Sequence, residues 1–235
     1  MKLAALSIVY NEEKLIRGCI ESFKPFVEQH VMVVGNKPYY GKPTPNDNSA
    51  DAARAYGAHV IEGSYPLDHW QRNDGMNFLE YRGYEWILVS DVDMWFEHWQ
   101  VENMIKQLET AKEEAMIMAQ DSYWHDTNHR LVGDEFCPVV AVRPHVRFSY
   151  SGNVNTVYGK IHDLKLHHLA WCAPKDIHKK VLTYTHAPEF DGEAWYQQYY
   201  KNWRFGQKAV LPTGRFLVEY NPLPDELKAY LPEVL

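Results

Sequence analysis

Five short runs rich in aliphatic residues, separated by stretches with helical patterning, fill the first half of the chain. They are Leu3–Val9, His30–Val34, Ala58–Ile61, Trp86–Ser90 and Ala115–Ala119. Runs that are apolar throughout, rather than at alternate positions, are buried on both faces, as in the parallel sheet of an α/β protein. The intervening segments agree. Asn11 is a good N-cap, Glu12 and Glu13 favour a helix start, and Leu15, Ile16, Cys19, Ile20 and Phe23 recur at helical spacing before Pro25. Gly35–Asn48, with three prolines, reads as a long loop. Asp51–Tyr56, Asp74–Tyr81 and Val101–Glu114 read as helices, so the pattern predicts a mostly parallel sheet flanked by helices on both faces.

The second half is less regular and richer in His and aromatic residues. Val139–Val142 and Lys165–Trp171 read as strands, Asp176–Tyr184 and Glu193–Trp203 as helices, and Asp225–Leu231 as a short terminal helix. At 235 residues, with no repeat and no linker, the chain reads as a single domain. Its parts are residues 1–119, residues 120–205 and a C-terminal arm, 206–235. Trp195, Tyr199 and Trp203 fall at i, i+4 and i+8, a stripe that suits packing better than a sugar platform.

Composition excludes some functions. With 24 basic and 31 acidic side chains the net charge is -7, so no overall cationic field holds a polyanion, and nucleic acid is a disfavoured partner. Three scattered cysteines without a CxxC pair suggest neither a disulfide scaffold nor a thiolate metal site, and fit a reducing, cytoplasmic setting. The opening apolar run lacks a cleavage site and leads directly into Asn-Glu-Glu, so it reads as a strand rather than a signal peptide. No window approaches the roughly 18 apolar residues of a membrane span.

The sharpest chemical signal is Trp86-Ile-Leu-Val-Ser-Asp91-Val-Asp93, an apolar strand ending in two carboxylates. In open α/β sheets ligands bind outside the carboxyl ends of the strands, where these aspartates fall. Carboxylate oxygens suit Mg²⁺ or Mn²⁺ and leave coordination positions for phosphate oxygens. Read alone, an Asp-x-Asp after a strand is also ordinary turn chemistry.

Three further segments decide the context. Leu6-Ser-Ile-Val-Tyr10-Asn11-Glu12-Glu13, Asp47-Asn-Ser-Ala-Asp51 with the helix and strand that follow, and Gln71-Arg72-Asn73 precede Ser90-Asp-Val-Asp93. In order and spacing they resemble the motifs of the family 2 glycosyltransferases, which have the GT-A fold, across roughly the first 110 residues. The resemblance implies a nucleotide-sugar donor, UDP-, GDP- or another, held by Tyr10, Asn11, Glu12, Asn36, Arg72, Asn73 and Asp91. It implies a divalent metal on the diphosphate, bound by Asp91 and Asp93. A late histidine completes the metal shell in several GT-A enzymes, which points to one of His167 and His168. Neighbouring strand residues face opposite sides, so only one can serve, and His168 is preferred.

The chain departs from the family in two places. Gly35-Asn36-Lys37 stands where the family commonly has an acidic residue that reads the base, and no Glu-Asp pair supplies an obvious general base. Asp134, Glu135, Asp163, Glu189 and Asp191 are the alternatives, and Asp163 is the choice. Lys179 and Lys180 read as a solvated helix face. The acceptor hydroxyl, of a saccharide, lipid-linked glycan or other molecule, is expected near Val142–Asn155 and the His-His strand. A phosphatase of the haloacid dehalogenase type and a non-catalytic, metal-dependent sugar-binding module are the rival readings.

Overall fold

The computed structural model describes residues 1–172 and 174–232. Strands β1 (Leu3–Val9), β2 (Gln29–Gly35), β3 (His59–Gly63) and β4 (Trp86–Asp91) form a parallel block in the order β3-β2-β1-β4. This is the parallel α/β core that the apolar runs call for. Alternate residues of β1 divide between its two faces. Leu3, Ala5 and Val9 point toward helices α1 (Glu13–Phe23), α2 (Ser49–Ala55) and α4 (His98–Leu108), whereas Ala4, Leu6 and Ile8 point toward α3 (Asp68–Leu79). Helix α3 begins six residues earlier than its apolar spacing suggests, because its first turn packs Asp68 and Gln71 inward rather than apolar side chains.

Two glycines allow close packing. An added Cβ on Gly75 of α3 would lie 2.3 Å from Leu6 Cδ1, and one on Gly18 of α1 would lie 2.3 Å from the Trp95 ring. Under α1, Ser7 Oγ sits 2.9 Å from both His30 Nε2 and Ser90 Oγ and 3.2 Å from Cys19 Sγ, a buried polar knot joining the three central strands to the helix.

The second half widens the sheet. Strand β8 (Val139–Val142) lies antiparallel between β4 and the long β6 (Ala115–Trp124). Strand β9 (Tyr158–Trp171) runs parallel to β6 and antiparallel to the two-residue β5 (Met94–Trp95), which directly follows the Asp-x-Asp. Strand β7 (His129–Val132) continues from β6 to the hairpin of β10 (Ala209–Leu211) and β11 (Gly214–Tyr220). Helices α5 (Pro174–Val181) and α6 (Gly192–Trp195), the latter running into a π-helical turn at Tyr196–Tyr200, close an aromatic core around Trp124. Trp195 and Trp203 of the aromatic stripe, and Tyr200 beside it, each meet the Trp124 ring edge-on, and Tyr199 packs half-buried against the same core, so the stripe is packing. The C-terminal segment is built into this body: β11 joins the sheet, and Leu223 and Leu227, the latter in α7 (Asp225–Lys228), pack with Ile16 and Trp95. Among the described residues no helix is long and apolar enough to cross a membrane.

Candidate functional site

The carboxyl ends of β1, β2 and β4 open onto one cluster of charged side chains. Asp91 closes β4, and Arg72 Nη2 reaches its Oδ1 at 2.6 Å. Arg72 comes from α3, where Asp68 lies one turn earlier with Oδ2 3.9 Å from Arg72 Nε. The Phe148 ring flanks the guanidinium. Asp93 sits in the turn between β4 and β5, held by its carbonyl accepting from Leu169 N at 2.8 Å. Its Oδ2 accepts from Lys180 Nζ at 2.6 Å, and the same ammonium donates to Glu12 Oε1 at 2.7 Å. Two cations therefore face four carboxylates: Asp68, Asp91, Asp93 and Glu12.

The pKa shifts follow this crowding. Burial pushes Asp91 up against the pull of Arg72. Burial also opposes the Asp93 carboxylate, but Lys180, by its charge and its hydrogen bond, outweighs it and holds the Asp93 pKa below the ordinary value. Glu12 is raised to about 7 by burial, which Lys180 only partly offsets, with Asp93 and Asp91 adding to the rise. Burial disfavours the Lys180 ammonium, yet Asp93 and Glu12 raise its pKa above that of an ordinary lysine.

His168 supplies the most informative geometry. Ser122 Oγ donates its single proton to Asp134 Oδ2 at 2.6 Å and accepts from Gln120 Nε2 at 2.8 Å, so the 3.2 Å contact with His168 Nδ1 must be donated by the ring. That tautomer leaves a lone pair on Nε2, which faces Asp93 Oδ1 at 3.8 Å with no hydrogen bond between them. Burial lowers the His168 pKa in spite of Asp93, which favours the neutral ring. Two acceptors facing each other call for a cation, and two ligands of one octahedral ion stand roughly 3–4 Å apart. Among the described residues no three of His, Cys, Asp and Glu are arranged to hold a metal by themselves. The donor set thus fits a hard ion that takes the rest of its shell from phosphate oxygens and water.

His167 points the other way, with Tyr123 Oη 3.1 Å from its Nδ1 and Glu97 Oε2 3.4 Å from its Nε2. Alternation on the strand thus separates the pair, and His168 is the one that faces Asp93. Asn11 does not cap α1. It adopts a left-handed φ of 51° and uses its amide on Thr44 Oγ1, Pro45 O and Asp47 N, while Asp47 Oδ2 accepts from Glu13 N at 2.9 Å and serves the helix end. Tyr10 Oη lies 3.2 Å from the same threonine. Both residues therefore fix the 36–48 loop beside the site. Asn36 is half-buried just past β2, with its backbone N–H on Gly63 O. Asn73 spends both ends of its amide on the backbone of Phe148, which makes it a clamp for the 143–149 segment rather than a side chain open to ligand.

Asp163 is not brought to this cluster. It lies exposed, with φ 60°, in the bulge where β9 shifts register against β6, five residues before His168. Lys180 corrects the sequence expectation in the opposite sense: it is an inward charge rather than a solvated one. Ile177 and Val181 mark the buried stripe of α5, and Lys180 sits on its edge, where apolar spacing by itself carries no signal for an inward charge. Gln71 and Tyr39 were also missed. Gln71 Nε2 donates to Val9 O, the last carbonyl of β1, at 3.0 Å and to Val33 O near the end of β2 at 2.6 Å, and its Oε1 accepts from Tyr39 Oη. Tyr39 thereby ties the long loop to α3 beside Arg72.

A roof covers the cluster. Gly152 approaches Arg72, Tyr40 N donates to Thr183 O at 3.2 Å, and Tyr150 Oη donates to Glu189 at 2.9 Å, joining the segments around residues 150 and 189.

The architecture has counterparts among solved structures. Staphylococcus aureus TarS superposes with a TM-score of 0.50 at 14% identity over 76% of this chain and 38% of its own. A structure of TarS 1–349 in complex with UDP-GlcNAc also gives 0.50, at 12% identity over 76% of this chain and 64% of its own. A putative nucleotide-diphospho-sugar transferase from Desulfovibrio desulfuricans G20, at 0.47 and 10% identity over 84% of this chain and 98% of its own, is too distant to argue from. The chain thus spans less than two thirds of the TarS chains it matches. No family model matches the sequence. No curated protein matches it either. The fold is the GT-A-like α/β fold that TarS also has.

Proposed function

We propose that this protein transfers a sugar from a nucleotide-diphosphate donor, with UDP the first candidate, to an acceptor hydroxyl. The observation that carries the reading is the set of buried polar atoms without hydrogen bonds at the strand ends: Asp68 Oδ1, Arg72 Nε and Asp93 Oδ1. Buried polar atoms are almost always satisfied, so three together mark a place built for a polar ligand. The UDP-GlcNAc complex of TarS supports the nucleotide class.

Arg72 would meet the diphosphate with its planar fork, and Lys180 would add a second positive charge to the departing nucleoside diphosphate. Asn36 would offer its amide to the base. An anion entering among four carboxylates and two cations needs further positive charge. Asp93 and His168, whose Oδ1 and Nε2 face each other, would hold a divalent ion, Mg²⁺ or Mn²⁺, with Asp91 beside them, and the ion would supply that charge and act as a Lewis acid toward the leaving phosphate.

The reading is tested by thermal shift with UDP, GDP, dTDP, CDP and ADP, each with and without Mn²⁺, since a ligand of the folded state must raise its stability. One nucleotide should raise Tm in a metal-dependent way, by about 2.7 kcal/mol of stability at a hundredfold excess over Kd. Asp93→Ala should fold and lose that shift. No shift with any nucleotide, or an unchanged shift in Asp93→Ala, would overturn the donor or the metal assignment respectively.

A further inference from the structure

Lys180 stands where it must compete with a metal ion. Its Nζ lies 2.6 Å from Asp93 Oδ2 and 2.7 Å from Glu12 Oε1, while Oδ1 of the same Asp93 is the atom that faces His168 Nε2. An ion held by Oδ1 and Nε2 would therefore share its carboxylate with a positive charge already in place. Asp93 is only 5% exposed, so water does little to screen the two charges from each other. The backbone that carries Lys180 is anchored: Ile177 and Val181 of α5 are buried, and Thr183 O, just past the helix, accepts from Tyr40 N. The ammonium itself ends a flexible four-carbon stem, so it can leave Asp93 while the helix stays. Arg72 has no such freedom, being paired with Asp91 and flanked by the Phe148 ring. The site thus has one fixed cation and one that can move.

We propose that Lys180 makes the metal site conditional on the diphosphate. Without a donor its ammonium neutralises Asp93 and keeps a divalent ion out; the phosphates of an arriving donor draw it away, so that ion and nucleotide bind as a pair. The inference rests on the donor reading above and deepens it. The exchange leaves Asp93 paired at both stages, first with the ammonium and then with the ion, and so avoids the costly state of a bare buried carboxylate. An ammonium has three N–H donors, which lets Lys180 keep Glu12 while it gives up Asp93 for a phosphate oxygen. The coupling is reciprocal: whatever factor the nucleotide adds to the affinity for the ion, the ion adds to the affinity for the nucleotide. A free ion and a free nucleotide are each held weakly, and the pair is held well.

Binding of Mn²⁺ to the full chain is followed by the electron-spin-resonance signal of the free aqueous ion, which is lost on binding, with and without UDP or whichever of the five nucleotides raises Tm. The unaltered protein should bind Mn²⁺ about tenfold more tightly with the nucleotide than without it. Lys180→Met should bind Mn²⁺ alone about tenfold more tightly than the unaltered protein does, and the gain from the nucleotide should shrink accordingly. Because the substitution also strands Asp93, Mn²⁺ alone should raise the Tm of Lys180→Met and leave that of the unaltered protein where it was. Equal Mn²⁺ affinities of the two proteins without nucleotide would overturn the proposal. So would Mn²⁺ binding by the unaltered protein that is as tight without nucleotide as with it, a result that stands even if Lys180→Met does not fold. If no nucleotide shifts the Tm of the unaltered protein, the donor reading falls instead, and tighter Mn²⁺ binding by Lys180→Met would still identify Lys180 as the cation that fills the metal site.

Discussion

His30 shows what burial does to one titratable side chain. It sits in the polar knot beneath α1, 6% exposed, with Phe23 edge-on to its ring and Nδ1 without a partner. Burial lowers its pKa to about 3. The unfolded chain then takes up the proton first, so this contribution to stability is whole above about pH 6.5 and is lost as pH falls toward about 3, at about 1.4 kcal/mol per pH unit. Between about pH 6.5 and 5 the native protein should lose about 2 kcal/mol more than His30→Met, measured by urea unfolding. Equal pH slopes in the two proteins would show that His30 is not held neutral in the fold.

Among elements, α3 has the most to position, since it carries Asp68, Gln71 and Arg72 on one face. Gly75 lets that face settle against β1 and β2, with Leu6 and Val33 where a Cβ would go. Gly75→Ala should cost about 1–3 kcal/mol by overpacking despite the better helix propensity of alanine. It should also weaken nucleotide binding more than that loss of stability explains, because Arg72 moves with the helix; unchanged affinity would refute this. The same helix marks what the sequence could and could not convey. Strands β1, β2 and β4 were legible because both faces of each run are buried and apolar, whereas the edge strand β3 is only partly buried and showed as a short β-branched run; Asp91, Asp93 and His168 were legible as a strand end and an alternation. Gln71 and Lys180 were not, because each is a polar side chain turned inward by tertiary packing, and hydrophobic spacing alone is silent about polar groups on the edge of a buried stripe. Asn73 and Asp163 misled for a related reason. A residue type able to contact ligand was present, but the backbone placed one against Phe148 and the other in an exposed bulge.

At the scale of the molecule, the C-terminal segment belongs to the main body. Leu227 is fully buried, in the same apolar cluster as Ile16 and Ile20 of α1 and Trp95. Leu227→Ala should cost about 2–5 kcal/mol, a fall in Tm of roughly 5–15 °C for a chain of this length. The fall should appear as one cooperative transition by calorimetry. A separate low-temperature step would mean that residues 206–232 melt independently.

The ammonium of Lys180 joins positions 168 residues apart, touching Glu12 near the start of the chain and Asp93 near its middle. No fragment that ends before α5 or begins inside α1 contains both ends of this contact. The charged pair is therefore a clasp on sequence order: it closes only where two distant stretches of one chain have met, and a copy clipped before α5 has nothing to close on Glu12 and Asp93.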